Sequence, residues 1–247
     1  MDAQELAGET AIVTGGAQGI GLAVVRLLVE RGARVAIIDI NAAAAAEVAD
    51  KLGRERVAVV QGDLKRRQSV TDAFSRAVDA LGAVDMLVNN AGTYPRTAIG
   101  DLDDEAWDRC FDVNLRGLYH MTVCAAAHMR SRGRGRIVSL ASASAYIPYP
   151  MNAHYAAAKA GVASLTRSFA MACAPDGVLV NAVAPGATDT EGLQAQSISS
   201  PDLLHQIPLR RLALPEDIAE VICFLASPRN RYVTGETVIA SGGIVMA

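Results

Sequence analysis

Two side chains that could exchange a proton with a substrate, Tyr155 and Lys159, stand four residues apart in a stretch typical of a helix. Residues at this spacing share one helix face, so we expect the ammonium close to the phenol. The ordinary pKa of tyrosine is near 10, and a cation within reach lowers it by about 1–3 pH units. The pair therefore predicts a general acid/base for an alcohol or a carbonyl group. A tyrosine and a lysine at this spacing are more often ordinary surface packing, so the hypothesis depends on the surrounding motifs.

A glycine-rich turn near the beginning of the chain could hold a dinucleotide. The segment Thr14–Gly21 reads Thr-Gly-Gly-Ala-Gln-Gly-Ile-Gly and lies between a predicted strand and a predicted helix. In this context Gly15 permits a tight turn, Gly19 lets the backbone approach a pyrophosphate, and Gly21 allows the helix to pack closely on the strand. The phosphates would lie against the free N–H groups at the helix start. Glycines also mark ordinary turns, but the flanking strand and helix favour a cofactor site.

Acidic residues after the next two predicted strands refine the choice of cofactor. Asp39 ends the second strand, where a carboxylate accepts a hydrogen bond from a ribose 2′-hydroxyl and repels a 2′-phosphate. Its neighbours Gln18, Ile40 and Asn41 are uncharged, so we expect NAD rather than NADP. Asp63 follows the third strand and either accepts a hydrogen bond from the adenine amino group or caps the next turn.

Short apolar strands alternate with helical stretches along the whole chain. The predicted strands are Thr10–Thr14, Arg34–Ile38, Val57–Val60, Met86–Asn89, Arg136–Leu140, Val178–Val183 and Thr237–Ala240. The predicted helices are Gly21–Arg31, Ala42–Leu52, Ser69–Leu81, Asp104–Arg130, Ala153–Ala174 and Pro215–Leu225. This alternation predicts a single α/β domain over residues 1–247, a doubly wound (Rossmann) parallel seven-stranded sheet with helices on both faces. Residues 186–208 break the pattern after a strand end, and we interpret them as a substrate lid.

Composition argues against several other classes of function. The chain has 247 residues, of which 51% are hydrophobic and 20% charged, and its net charge is −3. Basic residues are scattered, so no nucleic-acid surface is expected, and no apolar run is long enough to span a membrane. The four cysteines and four histidines show no metal-ligand spacing, so no metal site is expected. The start of the chain lacks a signal-peptide pattern, and we expect a cytoplasmic protein.

Together these motifs resemble the short-chain dehydrogenase/reductase family, and the resemblance extends over nearly all of the chain. It rests on the following residues: Thr14–Gly21, Asp39, Asp63, Asn89–Gly92, Asn114, Ser142, Tyr155, Lys159, Asn181, Pro185, Gly186 and Thr190. The resemblance implies that Tyr155 is the general acid/base and that Lys159 binds the nicotinamide ribose and lowers the pKa of the tyrosine. It implies that Ser142 orients the substrate oxygen and that Asn114 holds a water in a proton relay. The cofactor contacts that it implies are Gly15, Gln18, Gly19, Ile20, Gly21, Asp39, Asp63, Leu64, Asn90, Ala91, Gly92, Tyr155, Lys159, Pro185, Gly186, Thr188 and Thr190.

The resemblance also implies an activity, the interconversion of a secondary alcohol and a ketone. Enoyl reductases of this family have their tyrosine further from the lysine. We expect Ser142, Tyr94, Tyr149 and His154 in the substrate pocket, and these residues suit an apolar, aryl or cyclic small molecule with little charge. Adjacent helical residues point in different directions, so a catalytic role for His154 is not favoured. Relatives are commonly homotetramers, and the apolar helices and C-terminal tail fit such contacts.

Two alternatives remain open. A 3-oxoacyl-(acyl-carrier-protein) reductase usually prefers NADP and uses a basic surface near the pocket, so Asp39 argues against it. The basic residues Arg96, Arg210 and Arg211 argue for it. A non-catalytic dinucleotide-binding regulator would share the fold, but such proteins tend to lose the tyrosine or the lysine, and this chain has both.

Overall fold

Seven parallel strands with helices on both faces make up the part of the chain that the structure, a computed structural model, describes: residues 4–194 and 201–246. The strands are β1 (Thr10–Thr14), β2 (Arg34–Asp39), β3 (Val57–Gln61), β4 (Met86–Asn89), β5 (Gly135–Leu140), β6 (Val178–Pro185) and β7 (Thr237–Ala240). The helices are α1 (Gly19–Glu30), α2 (Ala42–Leu52), α3 (Arg67–Leu81), α4 (Asp104–Phe111), α5 (Leu118–Ser131), α6 (Ala153–Cys173), α7 (Glu191–Gln194), α8 (Pro201–Gln206) and α9 (Pro215–Ala226). The predicted fold class is confirmed.

Apolar side chains of the central strand β1 alternate between two cores. Ala11 and Val13 pack with residues of α1, α2 and α9 on one face of the sheet. Ile12 packs with residues of α3 and α5 on the other face. Because both faces are covered, every residue of β1 is buried, which explains the unbroken apolar runs in the sequence.

The strand order is β3-β2-β1-β4-β5-β6-β7, so the chain reverses its direction of winding between β1 and β4. Thr14 at the end of β1 is in register with Ile38 of β2 and Asn89 of β4. In such sheets ligands bind in the crevice beyond the carboxyl ends of the strands at the point of reversal. The glycine turn, Asp39 and the Asn89–Gly92 segment all follow strands at this crevice.

One predicted helix is interrupted in the structure. The stretch predicted as a helix over Asp104–Arg130 consists of α4, a π-helical segment at Asp112–Gly117, and α5. A π segment widens one turn and leaves the apolar pattern on either side nearly unchanged, so hydrophobic periodicity does not reveal it. Of the predicted lid, residues 191–194 form α7 and residues 201–206 belong to α8, while residues 195–200 lie outside the described residues.

Candidate active site

The glycine turn leads directly from β1 into α1 and leaves the start of that helix open. Gly15 has φ +65°, and a Cβ built there would lie 2.8 Å from Ala91 Cα, so the turn needs a glycine. Helix α1 begins at Gly19, and its N-cap residue Gln18 makes no side-chain capping bond. The first backbone N–H groups therefore remain available to an anion. A Cβ on Gly21 would overlap the Gly15 carbonyl, which agrees with the close packing expected there.

Two polar side chains brace this turn against the end of β4. The amide nitrogen of Asn90 donates to the carbonyl oxygens of Thr14 (3.0 Å) and Gly15 (2.8 Å). The Thr14 hydroxyl accepts hydrogen bonds from the backbone N–H groups of Asn90 and Ala91, both at 3.1 Å. Asn90 therefore positions the glycine turn, which its place at a strand end did not reveal.

The carboxylates at the ends of β2 and β3 lie at the same end of the crevice as the glycine turn. Asp39 accepts hydrogen bonds from the backbone N–H groups of Ala17 (3.3 Å) and Asn41 (2.9 Å). Asp63 accepts one from the Lys65 N–H at 3.0 Å, which is the turn-capping alternative for that residue. Lys65 also lines the crevice, and it is a basic residue that the sequence analysis did not consider. Its position two residues after Asp63 was the available signal.

These elements enclose one cleft of about 890 Å³. Of the residues predicted from the sequence, those that line it are Gly15, Gln18, Gly19, Ile20, Asp39, Asp63, Leu64, Asn90, Ala91, Gly92, Tyr94, Asn114, Ser142, Tyr149, Tyr155, Lys159, Pro185, Gly186, Thr188 and Thr190. Gly21 and His154 are not among its lining residues. The cleft thus joins the glycine turn at one end to the Tyr155 and Lys159 pair at the other.

The side chains of Tyr155 and Lys159 lie together on one face of α6, as their spacing predicts. Lys159 Nζ is 5.7 Å from the centroid of the Tyr155 ring and donates a 2.7 Å hydrogen bond to the Leu140 carbonyl. Lys159 is only 4% exposed. Burial disfavours the ammonium and lowers its pKa to about 8.

The phenol of Tyr155 behaves differently from the sequence expectation. Burial raises its pKa above the ordinary value of tyrosine, and a hydrogen bond with Ser142 opposes this only in part. Lys159 is not among the groups that shift this pKa in the cofactor-free chain; its Nζ is 5.7 Å from the centroid of the ring and donates to the Leu140 carbonyl. The phenol is therefore protonated at neutral pH.

Asn114 lies in the π-helical segment and is fully buried. Its amide nitrogen donates to the carbonyl of Cys110 (3.0 Å) and the hydroxyl of Thr93 (3.2 Å), and its oxygen accepts from Thr93 N–H (3.2 Å). A Cβ built on Gly92 would lie 2.7 Å from Asn114 Oδ1 and 3.6 Å from Lys159 Nζ. Asn114 Oδ1 and Lys159 Nζ therefore both face the Cβ position of Gly92, and all three residues line the cleft.

Aromatic side chains form the wall beside Tyr155. The rings of Tyr94 and Tyr155 meet edge to face with centroids 4.8 Å apart, and Asn152 donates a 3.0 Å hydrogen bond to the Tyr94 hydroxyl. Tyr149 lines the cleft and is 40% exposed. His154, which we expected in the substrate pocket, is fully buried and does not line the cleft, because the turn of α6 directs it away from Tyr155.

The chemistry of the donors fits a nicotinamide dinucleotide. An open helix start suits a pyrophosphate, and a carboxylate at the end of β2 suits a ribose hydroxyl. Within residues 4–194 and 201–246 no group of three or more His, Cys, Asp or Glu side chains could hold a metal ion. No helix in the same ranges is long and apolar enough to cross a membrane.

Comparison with known proteins identifies the family. A family model described as Enoyl-(Acyl carrier protein) reductase matches residues 15–245. Cis-4-hydroxycyclohexanecarboxylate dehydrogenase of Sinomonas cyclohexanicum is 40% identical, over 97% of this chain and 98% of that protein. 3-Oxoacyl-(acyl-carrier-protein) reductase FabG of Vibrio cholerae serotype O1 is 35% identical, over 98% of this chain and 99% of that protein. A short-chain type dehydrogenase/reductase from Mycobacterium marinum superposes with a TM-score of 0.95 at 30% identity, covering 100% of this chain and 99% of that one.

The chain belongs to the short-chain dehydrogenase/reductase family. It is an oxidoreductase of the class that acts on CH–OH groups, and enzymes of this family typically use a nicotinamide dinucleotide.

Proposed function

We propose that this enzyme interconverts a secondary alcohol and a ketone with NAD(H), and that Tyr155 is its acid/base. The observation that supports this most strongly is the meeting of Tyr155, Ser142 and Lys159 at one end of a cleft whose other end is the glycine turn and Asp39. Tyr155 and Lys159 are four residues apart, the spacing of family members that act on alcohols and ketones rather than on enoyl groups.

In the direction of oxidation, Tyr155 takes the proton of the substrate hydroxyl while Ser142 donates a hydrogen bond to the same oxygen. The cofactor bound in the cleft would supply the hydride acceptor for the carbinol carbon. Lys159 would hold the nicotinamide ribose, and its ammonium together with the positive ring of the oxidised cofactor would favour the phenolate of Tyr155. Asn114 holds a water beside Lys159, through which the proton reaches solvent.

The preference for NAD over NADP rests on Asp39. Its carboxylate lines the cleft where β2 ends, and a 2′-phosphate close to it would meet a like charge. Lys65 lines the same end of the cleft and is the feature that favours NADP. The backbone N–H groups of Ala17 and Asn41 hold the Asp39 carboxylate in place. We therefore expect its charge to outweigh that of Lys65 in the choice between NAD and NADP.

We propose a cyclic secondary alcohol as the substrate. Apolar and aromatic side chains from four segments of the chain line the substrate side of the cleft: Tyr94, Ile147, Tyr149, Met151, Leu193 and Ile244. The relative from Sinomonas cyclohexanicum is named for cis-4-hydroxycyclohexanecarboxylate, whose ring and secondary hydroxyl agree with this lining.

Reduction of a 3-oxoacyl group on an acyl carrier protein is the second candidate, and the Vibrio cholerae relative favours it. Two of the arginines that could dock an acidic carrier are engaged elsewhere. Arg211 pairs with Asp217, and Arg210 donates to the His205 carbonyl.

The test is turnover of a panel of cyclic secondary alcohols, followed by NADH absorbance, beside reduction of acetoacetyl-CoA with NADPH. We expect alcohol oxidation with NAD, and we expect Tyr155→Phe to lower kcat by about 10²–10⁴-fold while NAD still binds. Full activity of Tyr155→Phe would contradict the acid/base role. A protein that binds NAD but oxidises none of the alcohols and reduces no ketone would be a regulator.

We further propose a cytoplasmic homotetramer. All four cysteines are free, which suits a reducing compartment, and the apolar side chains of Tyr119, Val123 and Met171 on α5 and α6 are exposed, which suits subunit contacts. Light scattering of the purified protein and fractionation of cells test the two statements.

A further inference from the structure

Arg96 is a charged side chain that lines the cleft near its aromatic wall, and the function proposed above does not use it. It lines the cleft and is exposed. In the described ranges 4–194 and 201–246, no carboxylate forms an ion pair with its guanidinium. The acidic residues that line the cleft, Asp39, Asp63 and Glu191, belong to its cofactor end, where Glu191 Oε2 lies 3.9 Å from a Cβ built on Gly19.

The backbone around Arg96 is held in place on both sides. Before it, Thr93 N–H donates to Asn114 Oδ1 at 3.2 Å, and the Tyr94 hydroxyl accepts from Asn152 at 3.0 Å. After it, Thr97 N–H donates to the Met151 carbonyl at 2.8 Å. These bonds tie the loop after β4 to the π-helical segment and to the loop before α6, so the guanidinium belongs to an anchored segment.

The charge of Arg96 also lies close to the reacting end of the site. Burial raises the pKa of the Tyr94 phenol, and the Asn152 hydrogen bond and the Arg96 charge both oppose that rise. The Tyr94 ring in turn contacts the ring of Tyr155. A molecule whose hydroxyl lies at Tyr155 would therefore extend along Tyr94 toward a cation with no anionic partner in the described residues.

We propose that Arg96 determines substrate specificity by binding a carboxylate on the substrate, so that the natural substrate is a cyclic hydroxy acid rather than a neutral alcohol. The proposal rests on the alcohol dehydrogenase function above and adds an anionic group to its substrate. A planar guanidinium matches a carboxylate with two parallel hydrogen bonds, which a neutral group of the same shape cannot accept equally well.

The experiment compares 4-hydroxycyclohexanecarboxylate with its neutral amide, 4-hydroxycyclohexanecarboxamide, in wild type and in Arg96→Gln, Arg96→Lys and Arg231→Gln. Arg231 is an exposed arginine that does not line the cleft and serves as the matched control. We expect Arg96→Gln to raise KM for the carboxylate on the order of 10- to 100-fold with kcat nearly unchanged, because a charged hydrogen-bonded contact is lost. KM for the amide should change by less than about twofold, and Arg96→Lys should restore part of the preference.

Inhibition gives a second measurement that needs no turnover of the acid. Cyclohexanecarboxylate should inhibit the oxidation of cyclohexanol in wild type and lose its inhibition in Arg96→Gln, whereas cyclohexanecarboxamide should act equally on both. Equal effects of Arg96→Gln on acid and amide, or no effect on either, would overturn the proposal for Arg96. Oxidation of neutral alcohols by the same enzyme would still support the dehydrogenase function. If wild type oxidises neither the acid nor any neutral alcohol, the dehydrogenase function fails, and the proposal for Arg96 fails with it.

Discussion

Replacement of Lys159 by methionine removes a buried ammonium while keeping most of the side-chain volume. Lys159 is 4% exposed, and burial lowers its pKa from 10.5 to about 8. Between these two values the unfolded chain holds a proton that the folded chain has released. The free energy of unfolding of the cofactor-free enzyme therefore rises with pH across this window, and the variant lacks that contribution.

The size of the effect follows from the shift. Below pH 8 the lysine is charged in both states, and the full difference between its two pKa values destabilises the folded state by about 3 kcal/mol. On raising the pH from 7 to 9, wild type should gain about 1.3 kcal/mol relative to Lys159→Met, and about 2.5 kcal/mol by pH 10. The variant also loses the hydrogen bond from Nζ to the Leu140 carbonyl, but that loss is independent of pH and cancels when the two pH values are compared.

Urea denaturation of both proteins at several pH values and one protein concentration measures the difference, since the stability of an oligomer depends on concentration. Lys51→Met, at an exposed lysine in the last turn of α2, controls for the loss of a surface charge. If the stability curves of wild type and Lys159→Met stay parallel from pH 7 to 10, the lysine is not held in the poorly solvated position described here.

Three further outcomes are expected. Asp39→Asn should lower the ratio of kcat/KM for NAD to that for NADP by about tenfold or more, because a like charge is removed from the site of the 2′-phosphate; an unchanged ratio would assign the selectivity to other residues. Gly21→Ala should destabilise the enzyme by about 1–3 kcal/mol and weaken NAD binding, because its Cβ would overlap the Gly15 carbonyl. Gly100→Ala, where a Cβ meets no atom within 4 Å, should leave the melting temperature unchanged. The ultraviolet difference between wild type and Tyr155→Phe without cofactor should show a phenol that ionises above the ordinary pKa of tyrosine, whereas a transition below it would contradict the burial of Tyr155.

Most of the scaffold follows from the sequence, because strands covered on both faces give short unbroken apolar runs and the helices between them are separated by glycines. Gly32, Gly53 and Gly82 have positive φ and follow α1, α2 and α3, where left-handed residues end helices. The strand order fixes which residues gather at the crevice, and so Asp39 and Asn90 were predicted to lie there. Their position depends only on being at the carboxyl ends of parallel strands.

The sequence pattern does not predict a helical turn widened by one residue, and it does not predict how deeply a side chain is buried. The π-helical turn that carries Asn114 leaves the apolar pattern intact. For this reason the sequence predicts one continuous helix over Asp104–Arg130. The bonds of Asn90 to the glycine turn depend on side-chain direction, which spacing along a strand does not give. Helical spacing did place Lys159 beside Tyr155, but it gave no measure of how little water would reach either group.

That missing quantity, solvation, decides the electrostatics of the site. Burial acts on Tyr155 and Lys159 in opposite senses for one reason, since it favours the neutral form of each group. The phenol accordingly keeps its proton in the folded enzyme, and the lysine comes close to losing one. The same exclusion of water strengthens every charge interaction in the cleft, so a cation placed near the phenol changes its pKa more than it would in solution. The fold therefore does not hold Tyr155 in an ionised state. It holds a protonated phenol whose pKa responds strongly to an added positive charge.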